Sequence, residues 1–442
     1  MADFDVIVVG GGPAGEHCAD RLIEAGKRVA IVERELLGGE CSYWACIPSK
    51  TLLRPGEALA AAREAPGAAE AVSGGLDATA AFGWRDYMTS GYDDSGQAAW
   101  AEGAGIELLR GEGRLAGPGR VAVGDTEHEA EHVVLATGSD PVVPPVDGLR
   151  ELDGVWTNRE ATALDEVPRR MIVLGGGPVG VEMAQALRRL GAEVALVEGS
   201  GHLLAREPKQ LGDGVGEALR ADGVELHFGQ HASSARREGE DFVLELEDGA
   251  ELCGDRLLVA AGRRPRTGGL GVEVGERGEV RVDSRMSAGE GLWAIGDVCG
   301  VWPLTYVGKY QARVAAANIL GGDRHADYSA VPRVVFTDPQ AASVGEPEGE
   351  LTATVSLASV PRASTYSRAY ADKPGYLTLV SDGERITGAH ALGPEAGEWL
   401  QQATLAIRAR VALEVVADVI QPFPTFSEAF LHALMDLSAQ AV

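Results

Sequence analysis

Two patterns of apolar positions divide this chain. Before Tyr328 they come as short unbroken runs bounded by glycine, and after it they alternate with polar residues. Runs such as VIVV at residues 6–9 and MIVL at residues 171–174 predict strands buried on both faces, as in parallel sheets. The stretches RVVFTD, TATVSLASV, YLTLVS and RITGAHALG, within residues 333–393, predict an antiparallel sheet. Helical patterns cover residues 395–408 and 427–437.

The unbroken runs repeat as a unit. VIVVGGGPAG at residues 6–15 returns as MIVLGGGPVG at residues 171–180. Each copy leads through a helix-like segment into a second apolar strand ending in an acid, Glu33 or Glu198, 18 residues after the last glycine. Strand, glycine turn, helix, strand and acid is the order that binds a dinucleotide. Gly10 and Gly175 permit the tight turn, Gly12 and Gly177 let backbone approach a pyrophosphate, and Gly15 and Gly180 let helix pack on strand. Pro13 with Ala14, and Pro178, open helices whose N-termini favour phosphate. Each glutamate can accept from a ribose hydroxyl. Two nucleotides are expected, one per copy. VVLATGSDPVVPP at residues 133–145 and LLVAAGRRPRT at residues 257–267 punctuate the two regions, and LWAIGDVCG at residues 292–300 delivers Asp297 at a strand end. Thr137, Gly138, Gly262, Gly113 and Asp297 join the candidate cofactor contacts.

Composition narrows the class. A length of 442 residues suggests two to four domains. Hydrophobic content of 45% and charged content of 24% are those of a globular protein. No apolar run reaches the about 18 residues of a membrane span. The chain opens directly on a strand, without a basic leader, so a cytoplasmic enzyme is expected. A formal charge of −27 repels phosphates and argues against nucleic-acid or anionic-membrane partners. Five cysteines in a chain this long do not suggest a secreted disulfide scaffold. Cys18, Cys253 and Cys299 are isolated and expected as buried apolar fillers.

Cys41 and Cys46 are different, lying five residues apart in GGECSYWACIPSK at residues 38–50. Pro48 suits a first helical turn, which places Cys46 near a helix N-terminus, where the dipole lowers a thiol pKa. No further Cys or His stands nearby to complete a zinc site. The pair reads first as a redox couple, with an inert structural pair as the alternative.

The double fingerprint, Cys-x4-Cys before IPSK, and then ATG, GRRP, GDV and VFTDPQAASVG, in that order, resemble the flavin-dependent pyridine nucleotide–disulfide oxidoreductases. Their members include dihydrolipoamide dehydrogenase, glutathione reductase and mercuric reductase. The resemblance implies an α/β fold of two Rossmann-like dinucleotide-binding domains plus a C-terminal α+β dimerisation domain. It implies FAD binding by residues 1–149 with a return segment at 269–326, NAD(P) binding by residues 150–268, and dimerisation by residues 327–442. It further implies a homodimer whose partner's C-terminal segment completes each active site. Cys46 becomes the thiol against the flavin and Cys41 the one facing substrate. Lys50 is expected near the flavin, paired with Glu182. The text after Glu198, GSGHLLAREP, offers no immediate Arg for a 2′-phosphate, so NADH is expected over NADPH, although His202 and Arg206 stand close by.

Two departures qualify the resemblance. Disulfide-reducing members end in a His-Pro-Thr-x-x-Glu motif, but here VIQPFPTFSEAF puts Phe423 in place of the His while Glu428 remains. Phenylalanine cannot exchange a proton. Between the cysteines, SYWA includes Trp44, a feature of soluble transhydrogenases. The extra cysteine pair that mercuric reductases carry near the C-terminus is not found before MDLSAQAV. Three readings stay open. The first is a disulfide or dithiol enzyme in which Glu428 or Tyr43 carries protons, Trp44, Phe423 and Phe426 line an apolar pocket, and Gln421 orients substrate. The second is a quinone reductase or transhydrogenase acting directly from the flavin, and the third is a non-catalytic flavoprotein scaffold. Phe423 and Phe426 can equally pack a dimer interface.

Overall fold

The computed structural model describes residues 2–367 and 375–440. The chain divides into two compact units and passes between them repeatedly. The first is Met1–Pro48, Gly83–Val142 and Gly262–Asp327; the second is Ser49–Phe82, Val143–Ala261 and Tyr328–Val442. The sequence reading keeps residues 49–82 with the first nucleotide region. They pack in the second unit because Leu52, Leu53, Ala81 and Phe82 share a core with Met171, Val181 and Leu187.

In the first unit the main sheet has the spatial order Ser287–Gly289, Leu292–Ala294, Thr126–Leu135, Phe4–Val9, Val29–Glu33, Glu107–Arg110. From Leu292–Ala294 onward the pairings are parallel, with Leu292 opposite Val133, Val6 opposite His132 and Val29, and Ala30 opposite Glu107. Val6, Ile7, Val8, Ala30 and Ile31 are wholly buried in a core shared with Cys18 and Leu22 of helix Pro13–Glu24 and Val314 of helix Thr305–Ile319. Unbroken apolar runs are what such strands require.

In the second unit the repeat is seen again. Glu225–Phe228, Glu193–Glu198, Arg170–Leu174 and Arg256–Val259 form a parallel sheet in that order. A five-stranded antiparallel sheet follows, ordered Arg333–Val335, Gln340–Gly345, Ile386–Gly393, Tyr376–Ser381, Leu351–Ser356. Helix Glu428–Gln440 contributes Phe430, Leu434 and Leu437 to its core. The stretch TATVSLASV leaves the sheet at Ser356 for a single 3₁₀ turn, and the helical stretch over residues 395–408 is two helices, Ala396–Trp399 and Gln401–Arg408. Cys253, expected as a buried filler, is exposed on strand Glu251–Gly254, whereas Cys18 and Cys299 are buried.

Helix Pro178–Leu190 is tied to the loop before strand Gln340–Gly345 by partly buried charge. Arg189 reaches Asp222 at 2.9 Å and Asp338 at 2.9 Å, and Gln185 donates to the Asp338 carbonyl at 2.9 Å. Arg189→Met leaves two carboxylates without their cation. The expected loss is about 3–5 kcal/mol, read as a lower midpoint in urea unfolding.

Candidate active site

The cysteine segment folds as a short helix, Gly39–Tyr43, a break at Trp44, and the long helix Cys46–Glu64. Gly38 takes φ 114°, a conformation that side chains disfavour, to start it. Cys46 opens the long helix, so its sulfur lies at the positive end of the dipole. Cys41 and Cys46 are half-buried thiols joined by a hydrogen bond. A residue the sequence did not single out stands between them. Thr305, first in helix Thr305–Ile319, donates from Oγ1 to Cys41 Sγ at 3.2 Å, and the same oxygen is 3.3 Å from Cys46 Sγ. The hydrogen bond to Cys46, then burial, pushes the Cys41 thiol well above its ordinary range. Of the two sulfurs, Cys46 is the one whose ionised form the helix start would favour.

The aromatic residues divide. Tyr43 is buried, donates to the Leu37 carbonyl at 3.0 Å, and has its pKa pushed up to about 12 by burial and then by Asp94 and Glu16. With its proton committed to a backbone carbonyl, Tyr43 is a poor proton carrier, contrary to expectation. Trp44, between the two cysteines in the chain, stacks on Tyr92 with ring centres 6.4 Å apart. Phe426 lies in the core of the antiparallel sheet. It is 6% exposed, set edge-on to Tyr366 at 5.5 Å and stacked on Trp399 at 6.5 Å in the C-terminal core.

One turn after Cys46 on the same helix, in the second unit, comes Lys50. Its Nζ donates to Glu182 Oε2 at 2.7 Å and lies 4.8 Å from the centre of the Phe336 ring. Glu182 is buried on helix Pro178–Leu190. Its Oε1 accepts from the Phe336 backbone N–H at 3.0 Å, and Ser49 donates to Oε2 at 3.4 Å. A carboxylate can be held there because each oxygen has a donor.

The two glycine turns share one geometry. Gly10 and Gly175 have φ of 110° and 115°, and a side chain at either would strike the backbone of Ala136 or Ala260. Gly15 and Gly180 press just as closely on the carbonyls of Gly10 and Gly175. Gly12 and Gly177 face open space instead, with no atom within 4 Å of where a Cβ would stand. These two glycines precede Pro13 and Pro178 as helix caps without side-chain bonds, so first-turn N–H groups are left for an anion. Glu33 accepts from the N–H groups of Gly11 and Glu35, both at 2.8 Å, and Glu198 from those of Gly176 and Ser200, both at 2.7 Å. Each acid thus braces its own turn and keeps lone pairs for a ribose. These features fit a dinucleotide at each turn.

Strand Ser139–Pro141 pairs with Arg263–Pro265, bringing the sequence segments around Thr137, Gly138 and Gly262 together. Gly138 and Gly262 have φ of 77° and 121°, and Thr137 Oγ1 donates to the Arg266 carbonyl at 2.7 Å. Asp297 accepts from Ser139 Oγ at 2.6 Å, and Arg263 Nε donates to that hydroxyl at 2.8 Å. Gly113 is buried on a strand where a Cβ would come within 2.9 Å of Val9, so sheet packing accounts for its missing side chain.

Near the C-terminus, Phe423 is 72% exposed and Ile420 94%. Beside them Gln421 Nε2 and Glu428 Oε2 are buried, without a hydrogen-bond partner among the described residues. Also among the described residues, no group of three or more Cys, His, Asp or Glu is placed to hold a metal, and no helix is long and apolar enough to cross a membrane.

Comparison with known proteins finds relatives along nearly the whole chain. The family model described as pyridine nucleotide-disulphide oxidoreductase matches residues 4–316, and that of the family's dimerisation domain matches residues 331–434. A dihydrolipoyl dehydrogenase of Thermus scotoductus is 34% identical, over 100% of this chain and 99% of its own length. A mercuric reductase of Acidithiobacillus ferrooxidans is 33% identical, over 96% of this chain and 81% of its own. Among solved structures, the Cu(II) complex of RclA, an HOCl-induced flavoprotein disulfide reductase of Escherichia coli, superposes with TM-score 0.86 at 26% identity, covering 98% of this chain and 99% of that one.

Proposed function

The chain belongs to the pyridine nucleotide-disulphide oxidoreductase family, FAD-dependent enzymes, and we propose that it passes electrons from NADH to a small apolar disulfide through Cys41 and Cys46. The observation that carries this reading is Thr305 Oγ1, within hydrogen-bond distance of both sulfurs at the start of two helices. FAD, when bound on the first glycine turn, supplies the exchange between hydride and thiols. Cys46, at its helix start, holds negative charge, and Cys41 holds the proton until it attacks substrate. Thr305 can donate to whichever sulfur is anionic. The ion pair of Glu182 with Lys50, one helical turn after Cys46, would help to orient a bound nicotinamide.

NADH is the proposed donor. The Glu198 carboxylate at the strand end would repel a 2′-phosphate and can accept from a ribose hydroxyl, and His202 Nδ1 lies 2.7 Å from the Leu203 carbonyl. Trp44, in the segment between the two cysteines and stacked on Tyr92, supports a flat or apolar substituent on the disulfide. A second copy of the chain is proposed to cover Phe423 and Ile420 and to bring Glu428 towards the partner's thiols. A cytoplasmic setting, where thiols persist, belongs to the same reading.

The test is a comparison of acceptors under NADH, without oxygen. Aromatic and aliphatic disulfides should be reduced faster than benzoquinones or a thionicotinamide analogue of NAD. If only the quinones or the analogue turn over, the enzyme works directly from its flavin and the proposal fails.

A further inference from the structure

Phe423 cannot exchange a proton, so the thiols need another group for that. The first unit contains a further acid close to its glycine turn. Glu16 lies in the first turn of helix Pro13–Glu24, and its Oε1 is buried without a hydrogen-bond partner among the described residues. A carboxyl oxygen left in this state costs free energy as an anion, so the proton stays unless something draws it away.

The helix that carries this acid packs against the helix whose first residue touches both sulfurs. Helix Pro13–Glu24 crosses helix Thr305–Ile319 at small residues, so closely that a Cβ on Gly308 would stand 3.1 Å from the Ala14 Cβ. The second helix begins at Thr305, which touches both sulfurs, and one turn later presents Lys309. The positive charge of Lys309 reaches both Glu16 and Cys41, favouring the ionised form of each. The other charged or titratable groups facing Glu16 are Glu33, from the neighbouring strand, and Tyr43, from the cysteine segment.

We propose that Glu16 is the proton-exchanging acid of the thiol pair, positioned by Lys309 and acting through the Thr305 hydroxyl and water. This rests on the disulfide-reductase reading above and names the group it lacks. In the reduced protein Cys41 is a thiol and Cys46 a thiolate. As Cys41 sulfur attacks a disulfide RSSR, its proton passes to the Glu16 carboxylate, a bond forms between Cys41 and one sulfur, and RS⁻ leaves. Glu16 returns the proton to RS⁻, giving RSH. Cys46 thiolate then attacks Cys41, the enzyme disulfide closes, and the second RS⁻ takes a proton from solvent. Two electrons leave the thiols and two RSH form. The burial that leaves Oε1 unpartnered also pushes the Glu16 pKa up to about 7, against the pull of Lys309 and with that of Glu33, where an acid exchanges protons well at neutral pH.

The test measures how fast the anaerobically reduced holoprotein reacts with an aromatic disulfide, as single-turnover rates across pH 5.5–9. The unmodified protein should show an inflection near pH 7. Glu16→Gln should lose the inflection and at least about tenfold in rate at neutral pH, on the low side of a proton-transfer contribution. Glu16→Asp should restore the inflection in part. Removing the exposed cation in Lys309→Met should move it to higher pH, and this variant serves if Glu16→Gln fails to fold. Unchanged profiles in Glu16→Gln or Lys309→Met overturn the inference, as does a profile that moves only in Glu428→Gln. Cys41→Ser separates this from the parent reading. If it still reduces disulfides, the thiol route itself is wrong, whereas loss in Cys41→Ser with an unchanged Glu16→Gln profile removes Glu16 alone.

Discussion

Cys41→Ser is expected to lower NADH-dependent disulfide reduction by roughly a thousandfold or more, the scale of losing a covalent nucleophile. A serine hydroxyl can take the Thr305 hydrogen bond at 3.2 Å, so the fold and the neighbouring Cys46 should be undisturbed. The loss should therefore fall on turnover and leave the thermal midpoint unchanged. Cys46→Ser should lose as much turnover for a different reason, since the mixed disulfide on Cys41 then has no second thiol to resolve it. Mass spectrometry of that variant after mixing with a disulfide should find the adduct on Cys41. No adduct on Cys41 in that variant, with an adduct on Cys46 in Cys41→Ser, would reverse the roles given to the pair.

Lys50→Met has the next largest expected effect, and it acts on two measurements at once. The variant removes the cation 2.7 Å from Glu182 and leaves a buried carboxylate with only the Phe336 N–H and the Ser49 hydroxyl. The lysine side chain is 34% exposed, so the cost in stability should fall below the roughly 3–5 kcal/mol of breaking a fully buried pair. Turnover should fall by about a hundredfold, as when one fixed electrostatic group is lost from a site. Adding Glu182→Gln should recover most of the stability, because both partners of the ion pair are then gone. It should not recover turnover. Recovery of both would make the ion pair structural only, and the check is urea unfolding and steady-state rates on the same three proteins.

The parts of this site that were legible in the sequence are those set by local chain geometry. The glycine turns, the helices after them and the acids at residues 33 and 198 are short-range features, and an apolar run ending in glycine leaves few alternatives. Lys50 and Glu182 were found through family resemblance, since nothing in their 132-residue separation predicts a contact. Thr305 was missed for a related reason. It is an ordinary first-turn residue, and only the crossing of its helix on Pro13–Glu24 brings it to the sulfurs. Glu16 was hidden by its neighbours, because an acid after GGGPAG reads as a favourable first-turn charge, and burial alone changes its meaning. Tyr43 and Phe426 misled in the opposite direction. Their types suit a site, but a backbone carbonyl claims the first and an internal aromatic cluster the second.

The central claim is that Cys41 and Cys46 form the redox centre between NADH and substrate. The most direct measurement oxidises the holoprotein, adds one equivalent of NADH without oxygen, alkylates, and maps the modified cysteines by mass spectrometry. The account predicts that Cys41 and Cys46 are unmodified before NADH and alkylated together after it. Consumption of NADH with the pair still closed would contradict it, and electrons would then leave by a route that bypasses the thiols.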